Sequence, residues 1–216
     1  MAGLAARASR INSPVLFICD IQEKFREHIY EFSKVVSTSQ KLLRASTALN
    51  IPVYVTTQNK ARLGDTVPEL LKYLPSDSSA GNTLLGNVDK MAFSMYTPDI
   101  LTRLQQQNTQ KDIKTIDAIL TGIETHICVT QTTLDLLSAG HRVYIIADGV
   151  SSVNAEERGI ALNRLRDAGA IVTTSESVVF EVLRDAGANP AFKGVNALIK
   201  ETKEDTREAV RVLCKY

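Results

Sequence analysis

The sequence has few of the features that mark several common classes of protein. Its 216 residues include only three cysteines, Cys19, Cys128 and Cys214, which lie far apart and form no C-x-x-C pair. Such a set argues against a disulfide or zinc framework, so we expect three free thiols and a reducing compartment. The apolar runs fall short of the roughly eighteen residues of a membrane span, and none near Met1 resembles a secretory signal. We expect no membrane partner.

An excess of charge of one sign is also missing. Lys and Arg number 25 against 24 for Asp and Glu, which gives a formal net charge of +1. Without a basic stripe to neutralise a phosphate backbone, nucleic acid is not an expected partner. The sequence lacks the phosphate loops G-x-G-x-x-G and G-x-x-x-x-G-K-[ST], which removes the usual support for nucleotide binding.

The sequence does have the length and apolar content of one globular domain, since 44% of its residues are hydrophobic. We expect a tail over residues 1–13, the domain over 14–200 and a charged helical extension over 201–216. An apolar stripe on this extension can pack on the domain or on a neighbouring subunit; it comprises Ala209, Val210, Val212 and Leu213. We expect a cytoplasmic protein, with mitochondrial import as the alternative because the first nineteen residues hold two arginines and no acid.

Apolar runs alternate with helical patterns over most of the chain. Strands are predicted over residues 14–19, 51–57, 87–90, 116–121, 143–147 and 171–174. Long helices are predicted over residues 31–49, 124–139 and 154–168, shorter helices capped by Thr66, Thr97 and Ser175, a loop over residues 76–87 and a turn at Asp148-Gly149. Because helices separate nearly continuous apolar strands, we expect an α/β fold with a mostly parallel sheet covered on both faces.

Three side chains with useful chemistry are predicted near the carboxyl ends of strands, where ligands bind in such sheets. Asp20 follows the first strand, Lys90 follows the third, and Cys128 lies in the opening turns of a helix, where the helix dipole stabilises a thiolate. An acid, a cation and a thiol form a set suited to proton transfer and nucleophilic attack. Each residue alone also has an ordinary structural explanation: a buried thiol, a strand-end acid and a solvated lysine.

Three separated motifs carry a resemblance to a known family: FICDIQEKFR at residues 17–26, KMAFSM at 90–95 and GIETHICVTQT at 122–132. Together they resemble the isochorismatase-like cysteine hydrolases, and most closely the branch of isochorismatase domain-containing proteins. The similarity extends in the same order over residues 14 to 200. It implies a three-layer α/β/α sandwich with a doubly wound sheet of about six strands, the isochorismatase-like hydrolase fold, and assembly into a homo-oligomer.

The resemblance also implies a catalytic triad of Asp20, Lys90 and Cys128. It further implies a cis peptide bond between Ile123 and Glu124, with the backbone N–H groups of Glu124 and Cys128 forming an oxyanion hole. Four further side chains are expected to line the substrate pocket, with plain packing as the alternative explanation for the two aromatic ones: Gln22, Phe25, Gln58 and Phe93.

The chain departs from the nicotinamidases of this family, which bind a metal through an Asp-x-His motif after the second strand. Thr57-Gln58-Asn59 stands at that place, and His28, His126 and His141 lack ligand spacing. We expect no metal and no cofactor. The expected activity is hydrolysis of a small amide or related acyl substrate through a thioester on the cysteine. The alternatives are an isochorismate-type vinyl-ether hydrolase that leaves Cys128 idle, or a catalytically silent binding or scaffold protein.

Overall fold

The computed structural model describes residues 10–74, 84–111 and 115–215. The strands are β1 Pro14–Cys19, β2 Val53–Gln58, β3 Leu84–Lys90, β4 Asp117–Ile123, β5 Arg142–Ser151 and β6 Ile171–Thr173. The helices are α1 Phe32–Leu49, α2 Lys60–Leu63, α3 Pro68–Leu71, α4 Pro98–Lys111, α5 Thr130–Ser138, α6 Ala155–Ala168, α7 Ser175–Leu183, α8 Phe192–Glu201 and α9 Lys203–Leu213. A short 3-10 turn, Glu23–Phe25, follows β1, and a π-helical turn, Thr125–Val129, precedes α5.

The six strands form one parallel sheet in the order β3-β2-β1-β4-β5-β6. The expected α/β/α architecture is thereby confirmed. The strand order reverses between β1 and β4, and a crevice opens at the carboxyl ends of strands at such a point.

Both faces of the four inner strands β2, β1, β4 and β5 are buried, which explains why these strands are largely apolar runs. On β1, Leu16 and Ile18 pack into the core beneath α1, α7, α8 and α9. Val15, Phe17 and Cys19 point to the opposite face and pack with side chains of α4, α5 and α6. The alternation of one strand therefore assigns Cys19 to the second face.

Two strands are longer than the sequence indicates. β3 begins at Leu84 and so takes in the end of the expected loop, whose residues 76–83 lie outside the described residues. β5 continues past Asp148-Gly149, where we expected a turn, but its register against β4 shifts there. Leu120 pairs with Ile145 whereas Gly122 pairs with Val150, so the segment that holds Asp148-Gly149 bulges out of the ladder. The buried carboxylate of Asp148 accepts hydrogen bonds from the backbone N–H of Ser175, at 2.8 Å, and from its hydroxyl, so this acid is satisfied inside the sheet.

Several helix ends agree with the sequence and others do not. Asn50 ends α1 in the left-handed conformation, at φ 53°, and Thr97 caps α4 by accepting from the Ile100 N–H. The caps expected at Thr66 and Ser175 are wrong: Val67 precedes α3 without a side-chain cap, and Thr174 caps α7. The helix expected over residues 124–139 starts as the π-helical turn and becomes α-helical at Thr130.

The C-terminal helix α9 packs on this chain's own domain. Ala209 and Leu213 of its apolar stripe are completely buried. Thr206 accepts a hydrogen bond of 2.7 Å from the buried Lys41 amine, and the Leu213 carbonyl accepts one of 2.7 Å from Arg158. Two of the four residues of the stripe are thus buried within the subunit, while Val210 and Val212 are partly exposed. None of the helices in the described ranges has the length and apolar content to cross a membrane.

Cys214, just after α9, gives the fold a measurable pH dependence. Burial raises the pKa of its thiol from 9.0 to about 11, with Asp148 adding to the rise and Arg158 opposing it. The folded protein therefore keeps a proton that the unfolded chain releases, and stability falls as the pH rises from 9.0 through about 11. We expect urea unfolding to show a steeper loss of stability over this range in the wild type than in Cys214→Ser. Parallel curves would contradict this assignment.

Candidate active site

The three side chains singled out in the sequence lie together beyond the carboxyl ends of β1, β3 and β4. Asp20 follows β1, Lys90 is the last residue of β3, and Cys128 lies in the π-helical turn after β4. The Lys90 ammonium donates to Asp20 Oδ2 at 2.6 Å. The Cys128 sulfur and a carboxylate oxygen of Asp20 lie within 4.8 Å of each other. All three side chains meet where the strand order reverses.

Asp20 is held from both sides. Its backbone adopts a left-handed conformation at φ 51°, and the residue is 1% exposed. Oδ1 accepts a hydrogen bond of 2.7 Å from the hydroxyl of Thr56 on β2, while Oδ2 accepts from Lys90. Two strong donors thus fix the orientation of a buried carboxylate.

Thr56 is a residue of the site that sequence analysis did not identify. Replacing Thr56 by valine keeps the shape and removes one hydrogen bond to the buried carboxylate, so we expect a loss of about 1.5–3 kcal/mol in the free energy of unfolding. The matched control is Thr57→Val, because the Thr57 hydroxyl donates at 2.9 Å to Asp89, whose exposed carboxylate water can solvate. Urea denaturation should show the larger loss for Thr56→Val, and equal losses would count against a special role for Thr56.

Lys90 is enclosed by oxygen atoms. Besides Asp20, its ammonium donates to Gln58 Oε1 at 3.0 Å and to the carbonyls of Ala92 and Phe93 at 3.2 and 2.9 Å. Burial by itself lowers the pKa of Lys90, but the negative charge that Cys19, Asp20 and Cys128 can carry outweighs burial, so its pKa stands above the ordinary value. The site keeps a fixed positive charge beside the carboxylate.

The turn that carries Cys128 is tied to the loop after Lys90. The Thr132 hydroxyl donates to the Cys128 carbonyl at 2.6 Å and accepts from the Met95 N–H at 2.9 Å. Cys128 is 7% exposed, so it is close to the protein surface but mostly covered. One threonine therefore fixes the cysteine turn relative to the lysine loop.

The peptide bond between Ile123 and Glu124 is cis. The Glu124 carboxylate accepts a hydrogen bond of 2.9 Å from the Val153 N–H, and the neighbouring His126 Nδ1 lies 2.9 Å from the Ser152 hydroxyl. These contacts join the turn after β4 to the loop after β5. They hold the backbone from which Cys128 projects.

The four side chains expected in the pocket have different surroundings. Gln22 is fully buried, and its amide bonds the backbone of Gln58 and the carbonyl of Gly64, so it holds two chain segments together rather than facing a ligand. Phe25 is half-buried and packs against the core beneath α1. Gln58 contacts the Lys90 ammonium directly. Phe93, three residues after Lys90 in the chain, is 50% exposed.

Cys19 is the second site residue that sequence analysis missed. Its sulfur, the Cys128 sulfur and an Asp20 oxygen all lie within 4.8 Å of one another. Burial raises the pKa of the Cys19 thiol well above its ordinary value, and the neighbouring Cys128 side chain and the charge of Asp20 add to the rise. The available signal was the strand alternation that assigns Cys19 and Phe17 to one face. All three cysteines are free, as expected.

A doubly wound parallel sheet with a polar cluster at its reversal point defines an α/β/α protein with a candidate ligand site in that crevice. The family is shown directly by sequence: the model of the isochorismatase domain matches residues 14–177, and the chain belongs to the isochorismatase family.

Relatives match nearly the whole chain. The secreted isochorismatase effector Isc1 of Phytophthora sojae is 40% identical over 206 residues, which are 93% of this chain and 93% of that protein. Isochorismatase domain-containing protein 2 of Xenopus laevis is 41% identical over 194 residues, covering 90% of this chain and 87% of that one. Among solved structures, the MAR1 ribonuclease from Caenorhabditis elegans superposes with a TM-score of 0.77 at 38% identity, covering 89% and 93% of the two chains.

Proposed function

We propose that this isochorismatase-like hydrolase cleaves a small amide or related acyl compound through a thioester on Cys128. The observation that carries the proposal is the meeting of three groups: the Asp20 carboxylate, bonded to Lys90 at 2.6 Å, and the Cys128 sulfur within 4.8 Å of that carboxylate. A thiol needs a nearby base to become a nucleophile, and Asp20 supplies one.

The proposed reaction has two halves. Cys128 attacks the acyl carbon while Asp20 accepts the thiol proton, and the backbone N–H groups of Glu124 and Cys128 stabilise the negative oxygen of the tetrahedral intermediate. Asp20 then gives its proton to the leaving nitrogen, which departs as an amine and leaves the thioester. Water, deprotonated by Asp20, attacks the thioester and releases the acid and the free thiol.

Lys90 supports both halves by charge. Its ammonium stays bonded to Asp20 and to three other oxygens, so it holds the carboxylate in place without donating its own proton. The fixed cation also favours the negative charge that develops on Cys128 as its proton leaves. Gln58 acts as a positioning residue through its bond to the ammonium.

A screen of small amides, esters, thioesters and the vinyl ether isochorismate with purified protein tests this proposal. We expect Cys128→Ala and Asp20→Asn to abolish the turnover found, while Cys214→Ser retains it. Full turnover by Cys128→Ala together with its loss in Asp20→Asn would contradict the thioester and favour vinyl-ether hydrolysis. RNA belongs in the same screen, because the relative from Caenorhabditis elegans is described as a ribonuclease. Absence of turnover on every compound would favour the silent scaffold.

We further propose that the chain works in the cytoplasm and assembles as a homo-oligomer, with residues 14–200 as the catalytic domain. Ala209 and Leu213 are buried in this chain's own core, so the contact between copies is proposed to use a surface other than that stripe. Light scattering of the purified protein would give the number of subunits, and a monomer at all concentrations would contradict the assembly.

A further inference from the structure

The hydrolytic scheme leaves one reactive group of the site unused. The Cys19 thiol lies within 4.8 Å of the Cys128 sulfur and donates to Asp20 Oδ2 at 3.6 Å. It is completely buried, whereas Cys128 is 7% exposed. A small reagent therefore meets Cys128 first and finds a second thiol directly behind it.

The sheet brings these two sulfurs together. Cys19 ends β1 and pairs with Gly122 of β4, six residues before Cys128 along the chain. Both sulfur-bearing side chains pack into the same core cluster, on the face covered by α4, α5 and α6. The pairing of β1 with β4 therefore brings the two thiols into the same part of the core.

Two thiols and a carboxylate this close could also serve as ligands for a soft metal ion. The place beside Asp20 is already taken by a cation, because the Lys90 ammonium bonds Oδ2 at 2.6 Å and three further oxygens. A dication held by the same carboxylate would face that ammonium at close range. The arrangement favours chemistry between the two sulfurs.

We propose that Cys19 and Cys128 form an oxidation site for hydroperoxides, in which Cys128 is attacked first and Cys19 closes a reversible disulfide. In the first step the Cys128 sulfur takes one oxygen from the peroxide and becomes a sulfenic acid, while the other peroxide oxygen leaves as water or an alcohol. In the second step the Cys19 sulfur attacks the Cys128 sulfur and displaces hydroxide. Asp20, which already accepts the Cys19 S–H, transfers that proton to the hydroxide, so water leaves.

The disulfide would block Cys128 and protect it from further oxidation to the irreversible sulfinic and sulfonic acids. A dithiol would reverse it and restore both thiols. Because the site reacts with peroxide and needs no substrate, this proposal does not depend on the hydrolytic one.

Peptide mapping tests the proposal directly. The native protein is treated with hydrogen peroxide, alkylated in denaturant and digested with trypsin, which places Cys19 in residues 11–24, Cys128 in 115–142 and Cys214 in 212–215. We expect a crosslink between the first two peptides within one chain, lost on treatment with dithiothreitol, and an alkylated third peptide. Sulfinic or sulfonic Cys128 with Cys19 still alkylated would overturn the proposal, as would crosslinks only between chains.

Variants separate the roles of the two thiols. Cys19→Ser keeps a donor to Asp20, and in this variant we expect dimedone to trap the sulfenic acid and dithiothreitol to fail to restore Cys128 after long exposure. Cys214→Ser should behave as the wild type. Equal recovery of Cys128 in Cys19→Ser and the wild type would overturn the proposal. If Cys19→Ser does not fold, the wild-type peptide map decides alone.

The peptide map and the turnover assay test the two proposals separately, so either proposal can be contradicted without the other. A crosslink found together with full turnover by Cys128→Ala would end the hydrolytic proposal and leave this one standing. Loss of turnover in Cys128→Ala without a crosslink in the wild type would end the oxidation proposal and leave the hydrolytic one standing.

Discussion

Replacement of Lys90 by methionine is expected to lower the free energy of unfolding by about 3–5 kcal/mol and to abolish turnover. Both side chains of the pair are nearly inaccessible, at 1% for Lys90 and 2% for Asp20. Removing the ammonium leaves a buried carboxylate with Thr56 as its remaining strong donor, and an uncompensated buried charge costs far more than an exposed one. Chemical denaturation of the folded variant measures the loss.

Lys60 provides the matched control on the same side of the sheet. It forms an ion pair of 2.6 Å with Asp65, but the two side chains are 50% and 43% exposed. Lys60→Met should therefore cost only about 0–1 kcal/mol. A double variant, Asp20→Asn with Lys90→Met, should recover part of the stability lost in Lys90→Met, because it removes the unpaired charge. Equal losses for Lys90→Met and Lys60→Met would contradict a buried, coupled pair.

Among the glycines in the described ranges, Gly122 should be the least tolerant of replacement by alanine. Gly122 has φ +123°, and a Cβ placed there would stand 2.1 Å from the carbonyl oxygen of Cys19. The obstruction is backbone rather than a movable side chain, so β1 and β4 must separate beside the site. We expect a loss of about 4 kcal/mol or more in the free energy of unfolding.

Gly169→Ala is the control that separates the cost of a left-handed backbone conformation from the cost of the steric clash at Gly122. Gly169 has a similar φ of +115°, but a Cβ placed there meets nothing within 4 Å. Gly169→Ala should cost only about 1–2 kcal/mol, which is the expense of the left-handed conformation alone. If the two variants unfold at the same denaturant concentration, the close approach of β1 and β4 at Gly122 is not as described.

Sequence predicted the parts of the fold that burial specifies strongly. β1 is a continuous apolar run because both of its faces are covered, and its end fixed the position of Asp20. β3 was cut short because it lies at the edge of the sheet, where Leu84, Leu85 and Gly86 are only half-buried and leave a weak apolar pattern. Asp148-Gly149 has the composition of a turn, and it lies in a bulge of β5 opposite β4, where Ser175 donates to the Asp148 carboxylate.

Only the residues of the site that lie in recognisable motifs and have an implied role were predictable from the sequence. Asp20, Lys90 and Cys128 stand in recognisable motifs, and the structure brings all three together. Thr56 lies outside these motifs, and Cys19 lies inside the first one without an implied role. The roles of both depend on β1 lying between β2 and β4. Strand alternation gives the face on which Cys19 lies, but its distance from Cys128 follows from the strand order, which the sequence alone does not supply.

Site-resolved alkylation of the native protein with iodoacetamide at neutral pH tests most directly whether the thiol, acid and amine form one reactive unit. Burial raises the pKa of Cys19 and raises that of Cys214 to about 11, so both should react slowly. Cys128 is partly accessible and lies beside the Asp20–Lys90 pair, so it should be alkylated well before the other two. Alkylation of Cys128 no faster than Cys214 would contradict a nucleophilic site.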